Sequence, residues 1–186
     1  MTEVSSLTGR LLVATPALSD PNFDRAVVLL LDHDGKGSLG VVLNRPTPVD
    51  VGDILEPWGE LAGEPGVVFQ GGPVALDSAL GLAVIPGGEG PLGWRRVYGA
   101  IGLVDLDAPP ELLARALGSL RIFAGYAGWG PGQLENELRD GAWYVVDSEP
   151  GDISSPRPEG LWRAVLRRQR SELAMVATYP DDPSLN

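Results

Sequence analysis

The chain has 186 residues, of which 25 are Gly and 17 are Pro, with no Cys, one His and a formal net charge of -11. These counts exclude disulfide scaffolds, Cys-ligated zinc or iron-sulfur sites, cysteine nucleophiles and any site built on two histidines. The excess of carboxylates repels polyanions at long range, which disfavours nucleic acid as a general partner.

Hydrophobic residues make up 44% of the chain and charged residues 21%, close to globular averages. A chain this long buries about 70% of its unfolded surface, so a single domain spanning 1–186 is expected to fold without a metal or a crosslink. The longest uncharged apolar runs, 26–31 and 142–146, are strand-sized and far short of the roughly 20 residues that a membrane helix needs. Residues 1–7 read as a flexible tail with no basic region and no signal-like apolar stretch, so cytoplasmic residence is the default expectation.

In chain order, residues 9–15 read as a strand. Runs 26–32 and 38–44 are rich in Val and Leu and are separated by 33–37, which contains two glycines; this is a hairpin signal. Further strands are expected at 66–69, 80–85, 100–106, 120–126 and 142–147, with 86–93 as a long surface loop. Helices fit at 110–117, at 131–140 with Gly141 as its stop, and at 159–170, with a short helical turn near 50–55. Strands and helices do not alternate regularly. A mixed α+β sheet is therefore expected over a doubly wound parallel one.

Asp32-His33-Asp34 places both carboxylates on one face of a strand and the imidazole on the other, so the three cannot chelate together. A calcium loop beginning at Asp32 fails at Lys36 and Leu43, where oxygen ligands are required. Serine catalysis would need His33 as its base, and no Gly-x-Ser-x-Gly elbow presents a nucleophile. There is no Walker loop and no well-placed dinucleotide fingerprint. The turn 125–132 leads from a strand into a helix, but Pro131 removes a donor and Glu135 and Glu137 already place negative charge there, so an anion site is not expected. Gly130 is instead expected as the N-cap, with Gln133 reaching back to it, and Trp129 as a packed anchor. Residues 157–170 carry five Arg and one Glu. Arg163, Arg167 and Arg170 form a stripe opposite Leu161, Trp162, Val165 and Leu166, which makes these three the nucleic-acid candidates.

Several segments together resemble the YqgE/AlgH family of bacterial proteins. They are Gly9-Arg-Leu-Leu-Val-Ala-Thr-Pro16, Asp20-Pro-Asn-Phe-Asp-Arg25, the His33 hairpin with Gly40-Val-Val-Leu-Asn-Arg-Pro46, Gln70-Gly-Gly-Pro73, and Phe123-Ala-Gly-Tyr-Ala-Gly-Trp-Gly-Pro-Gly-Gln-Leu-Glu135. Trp143 and Leu161-Trp162 complete the set. The resemblance implies one α+β unit with a bent sheet rolled toward a pseudo-barrel and flanked by helices. It also brings a suggested role as a transcriptional regulator of alginate synthesis, with no established catalytic residue, metal or cofactor to carry over.

The signature polar residues Asp20, Arg25, His33, Asn44, Arg45, Gln70, Gln133 and Glu135, with Trp129, are the candidates for a shared binding site. The expected function is non-catalytic: regulatory, or binding an unknown small molecule or protein, with no membrane partner. The alternatives are a DNA-binding regulator, and an enzyme using Asp20, His33 or Glu135. Geometry discriminates, since a binding site needs these residues around one cleft.

Overall fold

The computed structural model describes residues 6–87 and 90–179. The strands are β1 (Arg10–Ala14), β2 (Val27–Asp34), β3 (Gly37–Val42), β4 (Pro46–Asp50), β5 (Val67–Gln70), β6 (Val74–Val84), β7 (Trp94–Tyr98), β8 (Ile101–Val104), β9 (Ser119–Trp129) and β10 (Trp143–Asp147). Five short helices accompany them: α1 (Val51–Ile54), α2 (Glu111–Ala114), α3 (Gln133–Arg139), α4 (Leu161–Arg167) and α5 (Leu173–Val176). The sheet runs β10-β1-β2-β3-β9-β6-β8-β7 with antiparallel neighbours. β5 lies parallel to β9 and carries β4 on its other side. The result is an α+β fold with a mixed sheet, curled into a half-barrel.

Strict alternation on β1 explains why it is apolar from Leu11 to Ala14. Leu11 and Val13 enter one core cluster, while Leu12 and Ala14 enter another on the opposite face. β2 divides in the same way, with Val27, Leu29 and Leu31 on one side and Val28 and Leu30 on the other. A strand covered on both faces has no polar side to show. The first cluster is continuous across the curled sheet, from Leu11 through Phe123 to Ile101, and is closed by Leu161, Trp162, Val165 and Leu166 of α4. On the other face, Trp129, Leu134 and Trp143 form a second cluster under α3, and Val51, Trp58, Leu113, Leu120 and Ile122 form a third under α1 and α2.

β9 joins the two halves of that outer face. Leu120, Ile122 and Ala124 pack into the third cluster, whereas Ala127 and Trp129 pack into the second. From 124 to 127 is one residue more than alternation allows, and Gly125 absorbs it at φ 76. The register with β6 shifts across the same stretch.

All the expected strands are present, but β4 and β7 were not foreseen. β4 contains Pro46 and Pro48, which remove donors and mark an edge strand, and it pairs with β5 only at Pro46–Phe69 and Asp50–Val67. The hairpin turn is shorter than expected: His33 and Asp34 belong to β2, opposite Ser38 and Gly37, so only Gly35 and Lys36 form the loop. α3 begins at Gln133 with Gly132 as its N-cap at φ 74, two residues later than expected. Residues 158–160 form a 3₁₀ turn before α4, which ends at Arg167 and not at 170. Part of the 86–93 loop, residues 88 and 89, lies outside the described residues, as do 1–5 of the expected tail. Leu7 is not tail-like, because it packs against the second cluster.

Candidate functional site

The Asp20–Arg25 segment is a tight turn. Asp20 Oδ1 accepts from the Asn22 N–H at 2.9 Å, and its carbonyl accepts from the Phe23 and Asp24 N–H groups. Phe23 anchors the turn to the second cluster, 6.3 Å from the Trp129 ring and 5.6 Å from that of Trp143. Arg25 then adopts φ 58, an unusual conformation for a residue with a side chain. Asn44 holds it there: Nδ2 donates to the Arg25 carbonyl at 2.9 Å, and Oδ1 accepts from the Val27 N–H at 3.0 Å. The Arg45 guanidinium donates to the Asp24 carbonyl, and the Arg45 carbonyl accepts from the Gln70 N–H at 2.8 Å. The turn, the end of β3 and the Gln70–Pro73 corner are thereby brought together.

Two recesses, or lobes, have Arg45 in both of their linings. One, of about 210 Å³, is lined by Pro21, Asn22, Val42, Arg45, Gln70, Gly72 and Pro73. The other, of about 180 Å³, is lined by Arg25, Asn44, Arg45, Glu159, Trp162 and Arg163. Trp162 is buried, and its indole N–H donates to the Ala14 carbonyl at 2.8 Å. The Arg25 guanidinium lies 4.2 Å from the Trp162 ring centre and that of Arg163 lies 5.7 Å from it. Both lie within cation–π reach of the indole. In a chain of net charge -11, this lobe gathers three arginines and one carboxylate.

The other candidates gather elsewhere. His33 is 4% exposed, with Nδ1 2.6 Å from Ser38 Oγ and Nε2 3.8 Å from Glu135 Oε1. The second distance is too long for a hydrogen bond. His33 is a buried group tied to its hairpin partner and does not line either lobe. Gln133 reaches back to the Gly130 N–H at 3.0 Å, as the sequence implied, and donates at 3.0 Å to Glu137 Oε2. The other oxygen of Glu137 accepts from both Trp129 and Trp143, at 3.1 and 2.9 Å. Trp129 is therefore a packed anchor. Glu137 was not singled out from sequence, because nothing in its spacing announces that it faces two indoles.

Asp20 remains exposed and bonded within its own turn. The arginine stripe is divided: Arg163 lines one of the lobes and donates to the Ala177 carbonyl, Arg167 is exposed on α4, and Arg170 lies beyond the helix end. Arg168, missed in sequence, reaches Asp152 with bonds of 2.6 and 2.8 Å. Those hydrogen bonds hold the guanidinium above its ordinary pKa. Among the described residues, no three His, Asp or Glu side chains come together as metal ligands, and no helix is long and apolar enough to cross a membrane.

The fold and its recesses define a half-barrel α+β protein with a partly basic, polar-lined surface site. The sequence profile of the family described as AlgH-like matches residues 11–174, and the chain belongs to that family. It is 86% identical over 190 residues to a UPF0301 protein of Streptomyces avermitilis, covering 100% of this chain and 98% of that one. A UPF0301 protein of Mycobacterium tuberculosis is 46% identical over 181 residues, covering 96% and 90%. Two solved structures are similar. Protein DIP2367 of Corynebacterium diphtheriae has a TM-score of 0.89 at 30% identity, covering 96% of this chain and 95% of that one. The solution structure of the AlgH protein from Pseudomonas aeruginosa has a TM-score of 0.69 at 28% identity, covering 97% of each.

Proposed function

We propose that this is a non-catalytic regulatory protein that works by binding a small polar ligand at the recesses around Arg45. One observation carries the reading: four of the signature residues, Arg25, Asn44, Arg45 and Gln70, come from three separate segments and line two recesses that share Arg45. Asn44 has a second duty there, since its amide is spent on the Arg25 turn. Binding groups held on turns by a rigid sheet are the usual arrangement for recognition. The enzyme alternative draws less support, because His33 is buried away from these recesses and its nearest carboxylate is beyond hydrogen-bond reach. The DNA-binding alternative loses one of its three arginines to them.

A thermal-shift screen of small polar metabolites tests the reading. A ligand present at a hundred times its Kd stabilises the folded state by about 2.7 kcal/mol, which raises Tm by several °C in a chain of this size. The expected hit stabilises the wild type and loses its effect in R45A and in Q70A. If every hit stabilises all three proteins equally, the recesses at Arg45 are not the site.

A further inference from the structure

We infer a second binding site, between the β2–β3 hairpin and the β7–β8 hairpin on the face of the first core cluster, which takes a free apolar α-amino acid. It shares no lining residue with the recesses at Arg45.

Strand register places the site. Leu31 and Leu39 belong to the first cluster, and Asp32 is the register partner of Leu39. Cross-strand partners share a face. The pairing shifts between Leu30 and Asp32, and this bulge keeps the Asp32 carboxylate on the same face as the Leu31 side chain before it. Arg95 stands in the same relation to Leu103 on β8, and Leu103 and Val97 both pack against the first cluster. In the sheet, β3 and β8 are separated by β9 and β6. Curling nevertheless brings the two hairpins to one recess of about 390 Å³, within the range of roughly 300 to 1,000 Å³ that small-molecule sites occupy.

The lining is apolar with two opposite charges. Leu31, Leu39, Val97 and Leu103 supply the apolar surface, and the last three of these are only half-buried. Asp32 and Arg95 are exposed, and neither side chain has a hydrogen bond or an ion pair among the described residues. Arg96 also borders the recess but is engaged elsewhere, donating to the Gly99 carbonyl and lying 5.3 Å from the Trp94 ring centre.

Charge selects the ligand. An apolar acid would meet Arg95 but bring its carboxylate toward that of Asp32, and an apolar amine would meet Asp32 but be repelled by Arg95. A zwitterion answers both. Its carboxylate accepts parallel bonds from the Arg95 fork, while its ammonium donates to Asp32. The four apolar side chains then cover the side chain of the amino acid, which favours leucine or phenylalanine over serine.

The test is an NMR titration of full-length protein, ¹³C-labelled in its Leu and Val methyl groups, at neutral pH. The probes are leucine, phenylalanine, serine, isocaproate (leucine without its ammonium) and isoamylamine (leucine without its carboxylate). Leucine or phenylalanine is expected to shift the methyl signals of Leu39, Val97 and Leu103. The tighter of the two should bind about tenfold better than isocaproate, isoamylamine or serine, the scale of one charged hydrogen bond or one buried apolar side chain. D32N and R95Q, both changes at exposed side chains, should each weaken it about tenfold, while R45A binds it as the wild type does. The amino-acid assignment is overturned if no amino acid moves these methyl groups, if isocaproate, isoamylamine or serine binds equally tightly, or if either D32N or R95Q binds as the wild type does. Binding that R45A abolishes would put the amino acid at Arg45, which overturns the second site and leaves the first reading standing.

Discussion

Asn44 holds the Arg25 turn from both ends, its amide nitrogen on the Arg25 carbonyl at 2.9 Å and its amide oxygen on the Val27 N–H at 3.0 Å. A residue at φ 58 returns to extended backbone unless something fixes it, and Asn44 is the group that does so. N44A should therefore cost about 1–3 kcal/mol, the price of two unmade bonds to part-buried backbone. N44D keeps the acceptor and loses the donor, placing a carboxylate against the Arg25 carbonyl, and should recover no more than part of that loss. Urea midpoints at unchanged slope report the effect. An N44A protein within 0.5 kcal/mol of wild type refutes this role.

Glu137 presents the same logic at α3. Its Oε1 accepts from Trp129 and Trp143 together, and its Oε2 accepts from Gln133. E137A leaves two part-buried indole donors without their acceptor and should cost about 2–4 kcal/mol. E137Q retains an oxygen for the indoles but opposes the Gln133 amide with another donor, so its cost should be nearer 1 kcal/mol. The ordering is read from denaturation followed by tryptophan fluorescence. Equal loss in both variants contradicts the two-indole role.

Gly125 is the one position where β9 tolerates no side chain. A Cβ there would lie 2.7 Å from the Gly72 carbonyl oxygen and 2.8 Å from that of Val74, on a backbone at φ 76. G125A should lose about 2 kcal/mol or more from strain and displacement together. Because Gly72 lines one of the recesses at Arg45, the same variant should also weaken ligand binding. A G125A protein as stable as wild type contradicts the extra-residue account of β9.

Arg121 is 1% exposed, lies 4.3 Å from the Phe69 ring centre, and donates through Nη2 to the Glu64 carbonyl at 2.9 Å; its Nε and Nη1 have no hydrogen-bond partner. Burial lowers its pKa to about 10. A basic group depressed on folding makes its charged form a cost to the fold. That cost is complete below about pH 10 and shrinks as pH rises from there toward the unfolded value. R121M, which fills similar space without donors, should thus equal or exceed wild type by about 1 kcal/mol, and the difference should narrow above pH 10. A loss of more than 2 kcal/mol at pH 7 would show that the guanidinium is a net stabiliser.

Much of this protein was legible from its residues. The unbroken Val and Leu runs identified β2 and β3, and the irregular succession of elements pointed to α+β. What stayed hidden depends on tertiary placement. β4 is held by pairing to β5 despite two prolines, and α4 ends at Arg167, with the Arg168 side chain bonded to Asp152. The site at Arg45 was half visible. The signature marked Arg25, Asn44, Arg45 and Gln70, but only folding separates them from His33 and Glu135 and joins them to Asn22, Trp162 and Arg163.

Calorimetric titration of the screened ligand into R45A and into the R167A/R170A double variant is the most direct test of the recesses at Arg45 as the working site. The account predicts that R45A loses about tenfold or more in affinity, the scale of one charge-assisted contact, while the double variant binds as wild type does. The reverse pattern, with R45A unaffected and the double variant impaired, would contradict it.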